Sequence, residues 1–282
     1  MLGMTMGVVG SVRNGAGAAD PAVLPFSAAA AAANNDSSSG EQHPLATVRD
    51  WAQRAAARIE NDVADYSAIL LKREAEGGTL GEPQRLLLKI RHQPFSVYVY
   101  FYEPEDRCGD EAVYVDGRHE GNLLAHTTGT MGAMLGTLSL KPDGLVAMEG
   151  QRHPLTDIGI LNLTQRIAQA AENGLSDARC QVDIMPGQQV DDRNCRCIQI
   201  RNPADRERYM YSQWRVYIDD QWDLPIRFEA YDWPAQPGAE PLLAEQYTYS
   251  RFEWNNDFTD ADFDIRNPRY GYAEGQRQES IG

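Results

Sequence analysis

The amino-acid sequence predicts an α+β fold built on antiparallel strands, and three observations predict it. Helix, strands, one further helix and strands follow one another, so no regular β-α-β alternation demands a parallel sheet. Residues 214–233, WRVYIDDQWDLPIRFEAYDW, read as two strands around a polar turn. Residues 95–102 form a strand with one wholly apolar face.

The hairpin carries the clearest pattern. Trp214, Val216 and Ile218 alternate with Arg215, Tyr217 and Asp219. Leu224, Ile226, Phe228 and Ala230 alternate with Pro225, Arg227, Glu229 and Tyr231. Alternation at period two marks a strand with one buried face. A self-consistent register sets Ile218 opposite Leu224, Val216 opposite Ile226 and Trp214 opposite Phe228, with Arg215 and Glu229 diagonal on the other face.

In chain order, residues 1–43 are a low-complexity leader. Ala16-Gly17-Ala18 has the form of a signal cleavage site, but no basic residue precedes Arg13. A run of six alanines and NNDSSSG follow, a linker composition with too little to bury. From Pro44, the positions Leu45, Val48, Trp51, Ala55, Ile59 and Val63 trace one helical face. Strands are expected at 66–74 and 85–91, separated by Gly77-Gly78. Phe95, Val97, Val99 and Phe101 share one face of the next strand, a central one. Ser96, Tyr98, Tyr100 and Tyr102 share the other. A short strand at 111–115 precedes the turn signal Asp116-Gly117.

Residues 121–150 are rich in glycine and hold Met131, Met134 and Met148. They read as a flap or a loop over an apolar cavity. A helix should open at 154–157 with Thr156 or Asp157 as its cap and end at Asn173-Gly174. Strands follow at 178–185, 190–201, 208–219, 224–231 and 242–254, and the last segment, FTDADFDIRNPRYGY, should cap a sheet edge and then fray. The expected organisation is a leader to 43, one domain over 44–270 and a tail over 271–282.

Composition narrows the function. A net charge of −15 disfavours nucleic acid and anionic lipid surfaces as partners. No stretch approaches the ~20 apolar residues of a membrane helix. There is no G-x-S-x-G, H-E-x-x-H or phosphate-binding glycine loop, so no catalytic residue is assigned. His126, Arg152 and His153 flank the glycine-rich segment near Asp157, where bracing is the plainer role and base catalysis the sharper one. Cys195-x-Cys197 places two sulfurs on one strand face with Cys180 on the strand before. These are candidates for a disulfide or for buried thiols, and no metal site or cofactor is expected. The tyrosines at 98, 100 and 102 could stack on a ligand or pack under helices.

The segment IDDQWDLPIRFEAYD resembles the I-D-x-x-x-x-L-P-x-R-x-E hairpin of the LolA/LolB/RseB-like superfamily of periplasmic lipoprotein carriers and sensors. The element order, with DYSAILLKRE and KIRHQPFSVYVYFYEPEDRCGDEAVYVDG, resembles it too. Over 45–270 the chain is more similar to an uncharacterised bacterial family, the domain of unknown function numbered 1571. RHQPFSVYVYF, GNLLAHTTG, GQRHPLTDIGILNL, NCRCIQI and ADFDIRNPRYGY carry that resemblance. It implies a strongly curved antiparallel sheet, an incomplete β-barrel, with helices packed on its concave side. It also implies a periplasmic or otherwise exported protein, the alternative being cytoplasmic.

The resulting expectation is a non-enzymatic envelope protein that binds a lipid or lipoprotein acyl chain. The alternative is a sensing or scaffolding module that binds an envelope protein, and a hydrolase stands third. The cavity candidates are Phe95, Val97, Val99, Phe101, Trp214, Val216, Ile218, Ile226 and Phe228. The same faces could equally be solid core, and a pocket above ~300 Å³ would favour the carrier over the scaffold.

Overall fold

The computed structural model describes residues 43–128, 136–236 and 238–272. The leader up to residue 42, Met131, Met134 and the tail beyond 272 lie outside the described residues.

Helix α1 spans Pro44–Asp62. Pro44 suits the first turn, where its missing N–H has no partner to lose. The ring of His43 accepts the Leu45 N–H at 3.2 Å. Leu45, Val48, Trp51, Ala55 and Ile59 are buried as one stripe. Burying each of the larger ones contributes roughly 1.5–3 kcal/mol. Strands β1 (Asp65–Glu76), β2 (Thr79–Leu80), β3 (Gln84–Arg91), β4 (Ser96–Glu103), β5 (Glu111–Val115), β6 (Leu123–His126) and β7 (Leu138–Leu140) follow. Helix α2 spans Ile160–Gly174. Then come β8 (Gln181–Val190), β9 (Arg193–Arg201), β10 (Gln213–Asp219), β11 (Pro225–Tyr231) and β12 (Leu243–Trp254).

Among the described residues the strands form one antiparallel sheet of 12, ordered β7-β6-β5-β4-β3-β1-β12-β11-β10-β9-β8, with β2 paired to the end of β1. Its ends do not meet, so it is the expected incomplete barrel, and β4 is central as its pattern implies. Both helices pack on one face: α1 touches β8, α2 touches β11, and each touches the other. The main core lies between them and the sheet.

Three expectations are corrected. The hairpin register is offset by two residues: Trp214 faces Ala230, Val216 faces Phe228, and Ile218 faces Pro225 after a bulge. Asp219 causes it. Its carboxylate accepts the N–H groups of Gln221 at 2.9 Å and Trp222 at 2.7 Å, fixing a wider turn. Arg215 therefore sits directly opposite Glu229. The turn is also held from α1, where Trp51 Nε1 donates to Asp223 at 3.0 Å.

The second correction concerns α2. Thr156 and Asp157 belong to a short 3-10 turn over Leu155–Asp157, and the N-cap is Gly159 with φ +109°. A Cβ there would meet Ile90 at 2.9 Å and the Tyr66 hydroxyl at 3.0 Å, so only glycine fits. No side chain of the segment caps the helix. The sheet does so instead: Ile160 N–H donates to the Tyr66 hydroxyl at 2.9 Å and Gly159 N–H to that of Tyr249 at 3.3 Å.

The third concerns the end of the chain. Residues 258–272 cover the opposite face of β3–β5, not a sheet edge. Phe263, Tyr270 and Tyr272 pack with Tyr98, Val113 and Val115 in a second core. Tyr98 stacks on Tyr270 at 4.0 Å, so it lies beneath this segment and not beneath a helix. Tyr272 is buried, and its hydroxyl donates to the Leu124 carbonyl at 2.7 Å, so packing runs past residue 270.

Candidate functional site

The helices cover the sheet from β8 across β11 to β12, β1 and β3. Over β4–β7 the helices contribute Leu163 and Arg166 at the N-terminal half of α2, and a strap over 141–158 covers the rest. Between strap and sheet is a cavity of about 490 Å³. Leu70 of β1, Val99 and Phe101 of β4, Ala112 of β5 and Leu123 and Ala125 of β6 line its floor. Leu138 and Leu140 of β7 line its side; Val146, Leu155 and Ile158 of the strap and Leu163 of α2 line the rest. The size lies within the ~300–1,000 Å³ usual for small-molecule sites.

One end of the chamber is polar and almost closed to water. Lys72 Nζ stands 3.1 Å from a Glu74 oxygen and also donates to the Gln151 side-chain oxygen. The Tyr247 hydroxyl donates to Glu74 and stands 3.2 Å from Glu245. His153 Nε2 lies 2.7 Å from Glu245, and Arg152 Nε 3.6 Å from it. The sheet thus supplies Lys72, Glu74, Glu245 and Tyr247, and the strap supplies Gln151, Arg152 and His153.

Burial pulls the Lys72 ammonium below its ordinary value, and Glu74 opposes only part of that. Burial pushes the Glu245 carboxyl up, but His153, Tyr211 and Arg152 together outweigh it and hold it below 4.5. Charges this dry persist only when paired, so the network ties the strap to the sheet.

The sequence candidates separate into two groups. Val99 and Phe101 line the chamber. Val97, Trp214, Val216, Ile218 and Ile226 are buried in the main core, and Phe95 and Phe228 pack half-buried against it. None of these seven lines the chamber. Leu123, Ala125, Leu138 and Leu140 were not singled out by sequence. Their signal is faint: short apolar runs inside the glycine-rich segment 121–150.

Cys180, Cys195 and Cys197 are buried free thiols and Cys108 is exposed. Burial pushes Cys195 and Cys197 up to about 11, which leaves them protonated and unreactive. Among the described residues no three His, Cys, Asp or Glu side chains gather as a metal site. His126 stands opposite Glu111 on β5, its ring 5.4 Å from that of Tyr272. The hydrogen-bond partners of His153 are Glu245 and Arg166, neither of them a serine or cysteine nucleophile.

Comparison with curated proteins finds no match. Several solved structures are similar. The Mycobacterium tuberculosis lipoprotein LppX is 13 % identical with a TM-score of 0.42, over 78 % of this chain and 99 % of that one. A LolA superfamily protein from Nitrosomonas europaea is 11 % identical with a TM-score of 0.33, over 77 % and 97 %. A chain of the Pseudomonas aeruginosa MucA/MucB complex is 13 % identical with a TM-score of 0.42, over 77 % of this chain and 60 % of that one. The sequence also matches a family described as a protein of unknown function, DUF1571, over residues 63–272. The match takes in every strand, α2 and the covering segment as far as Tyr272, and the chain belongs to that family.

Proposed function

We propose that the protein is a non-enzymatic binding protein of the cell envelope that holds an acyl chain, of a lipid or a lipoprotein, in the chamber between β4–β7 and the strap. One observation carries the reading: an apolar cavity of about 490 Å³ stands beside a fully packed core. A chain that can pack one half of its sheet under helices leaves the other half hollow. Filling that hollow with hydrocarbon recovers roughly 25 cal/mol per Å² of apolar surface taken from water. The resemblance of the hairpin to lipoprotein carriers points the same way, and export belongs to the same reading.

Native mass spectrometry after mild extraction tests it. A co-purifying lipid mass, together with saturable uptake of a fluorescent fatty acid, is the expected result. A clean apo mass with no uptake would remove the carrier reading and leave the scaffold.

The scaffold has its own supporting observation. Leu145 is 94 % exposed and Val146 62 % exposed on the strap. A protein partner seated on this tip would be the sensing or scaffolding alternative, and pull-down lost on Leu145→Glu would favour it.

A further inference from the structure

We propose that Lys72 is a covalent binding site for a long-chain aliphatic aldehyde, held as a protonated imine with its hydrocarbon tail in the chamber. The inference rests on the reading of the chamber as a hydrocarbon site and adds a second class of ligand to it.

Lysine is scarce in this chain. Of 26 basic residues three are lysine: Lys72, Lys89 and Lys141. Lys141 is exposed, and Lys89 lies over the rings of Tyr98, Phe258 and Tyr270. Lys72 is 8 % exposed and lines the chamber. The buried carboxylates of Asp219 and Asp177 are met by the flat forks of Arg193 and Arg179. A fixed charge opposite Glu74 is equally a task for arginine, which holds a carboxylate by two bonds. What an ammonium adds is a nitrogen that can give up protons and bond to carbon.

The surroundings suit that chemistry. Leu70, on the chamber floor, precedes Lys72 by two on β1, so both point to one face. The ammonium has three N–H groups, and Glu74 at 3.1 Å and the Gln151 side-chain oxygen take two. Burial, and to a smaller degree the Arg107 charge, favours the neutral amine and outweighs Glu74 and Glu245. The Tyr247 hydroxyl donates to Glu74 and holds that carboxylate in place as a counterion.

The step is a condensation. The nitrogen adds to the aldehyde carbon. The carbonyl oxygen takes two protons from the nitrogen and leaves as water, and a protonated C=N bond remains. Lys72 begins and ends with one positive charge beside Glu74, so the buried ion pair is kept. A second cavity of about 260 Å³ also borders Lys72, and its rim includes the exposed Glu76, Glu82 and Gly150, which gives the water an exit.

Charge selects the carbonyl class. Aminolysis of an ester or thioester passes through an oxyanion, which needs donors aimed at it. The carboxylates of Glu74 and Glu245 oppose one. A free fatty acid can only exchange one ion pair for another. The product from an aldehyde is a cation, which the same carboxylates stabilise.

The test incubates the full-length chain with dodecanal, fixes imines as amines with sodium borohydride and maps the lysines by peptide mass spectrometry. Lys72 should carry about tenfold more dodecyl adduct than exposed Lys141, because the chamber concentrates the aldehyde at the amine. Butanal, too short to fill the chamber, should lose that preference. Excess lauric acid should suppress the Lys72 adduct and leave that of Lys141 unchanged. Labelling of Lys72 should level off below pH 10.5, the ordinary lysine value. Equal labelling of the two lysines overturns the covalent site while leaving the chamber reading intact, as does a Lys72 adduct indifferent to chain length and to lauric acid. Failure to take up a fluorescent fatty acid overturns the chamber reading and this inference with it.

Discussion

The backbone N–H of Ile160 donates to the buried hydroxyl of Tyr66 at 2.9 Å. A strand side chain thereby closes the open end of a helix 94 residues further along the chain. Tyr66→Phe removes the oxygen and nothing else, and leaves the first N–H of α2 without a partner in a dry site. The loss should be about 1–3 kcal/mol. For a chain of this size that lowers Tm by roughly 2–4 °C per kcal/mol. Differential scanning calorimetry of the single variant checks it, and an unchanged Tm would show that the hydroxyl caps nothing.

That contact explains why local sequence places the helix start too early. Thr156 and Asp157 have the residue types of N-caps, and propensity knows only local partners. The acceptors used here come from Tyr66 and Tyr249, distant in sequence and visible only after folding. The hairpin shows the same division. Its two faces were legible because alternation is a local property, whereas its register depended on how many N–H groups Asp219 gathers. For the site, the alternation of Val97, Val99 and Phe101 identified an apolar face correctly. All three are buried in the main core, and the alternation could not say that Val99 and Phe101 also border the hollow while Val97 does not. That boundary is set by where the helices stop, which no single strand encodes.

The second prediction concerns acid. Glu245 is 1 % exposed and meets His153, Arg152, Tyr211 and Tyr247. Its carboxyl is held below the ordinary 4.5 in the folded chain. A depressed acid stabilises the fold fully above its unfolded value and loses that contribution as pH falls through the folded one. The strap should therefore loosen from the sheet only below pH 4.5. His153→Leu takes away the largest of the lowering partners, so loosening should begin at higher pH. Hydrogen exchange of peptides covering 147–158, followed against pH, reads this directly. Identical profiles for the two proteins would exclude the His153–Glu245 contact as the tie.

A third prediction has the opposite sign. Burial raises the Glu111 carboxyl above 4.5, and the Gly271 N–H and the Tyr98 hydroxyl offset only part of the effect. A raised acid costs stability as pH climbs from the unfolded value through the folded one. Glu111→Gln keeps an oxygen for the Gly271 N–H, now 2.8 Å away, and discards the charge. Its Tm should exceed that of the parent at neutral pH, and the two should converge below 4.5. A variant less stable at pH 7 would mean that the ionised carboxylate is what fastens 270–272 to the sheet.

The last prediction separates wall from core. Ala125 lines the chamber and Ile218 is fully buried in the packed core. Ala125→Phe puts an aromatic ring into existing space, so it should abolish fatty-acid uptake while Tm stays within about 2 °C of the parent, under 1 kcal/mol for this size. Ile218→Ala leaves a hole among close-packed neighbours and should cost about 2–5 kcal/mol. Its uptake per folded molecule should nonetheless match the parent, because the lost methyls border no ligand. Measuring both properties on both variants gives four values with one permitted pattern. If Ile218→Ala lost uptake in step with Ala125→Phe, the two halves of the sheet would form one cavity wall, and the acyl chain would have to run beneath the helices as well as beneath the strap.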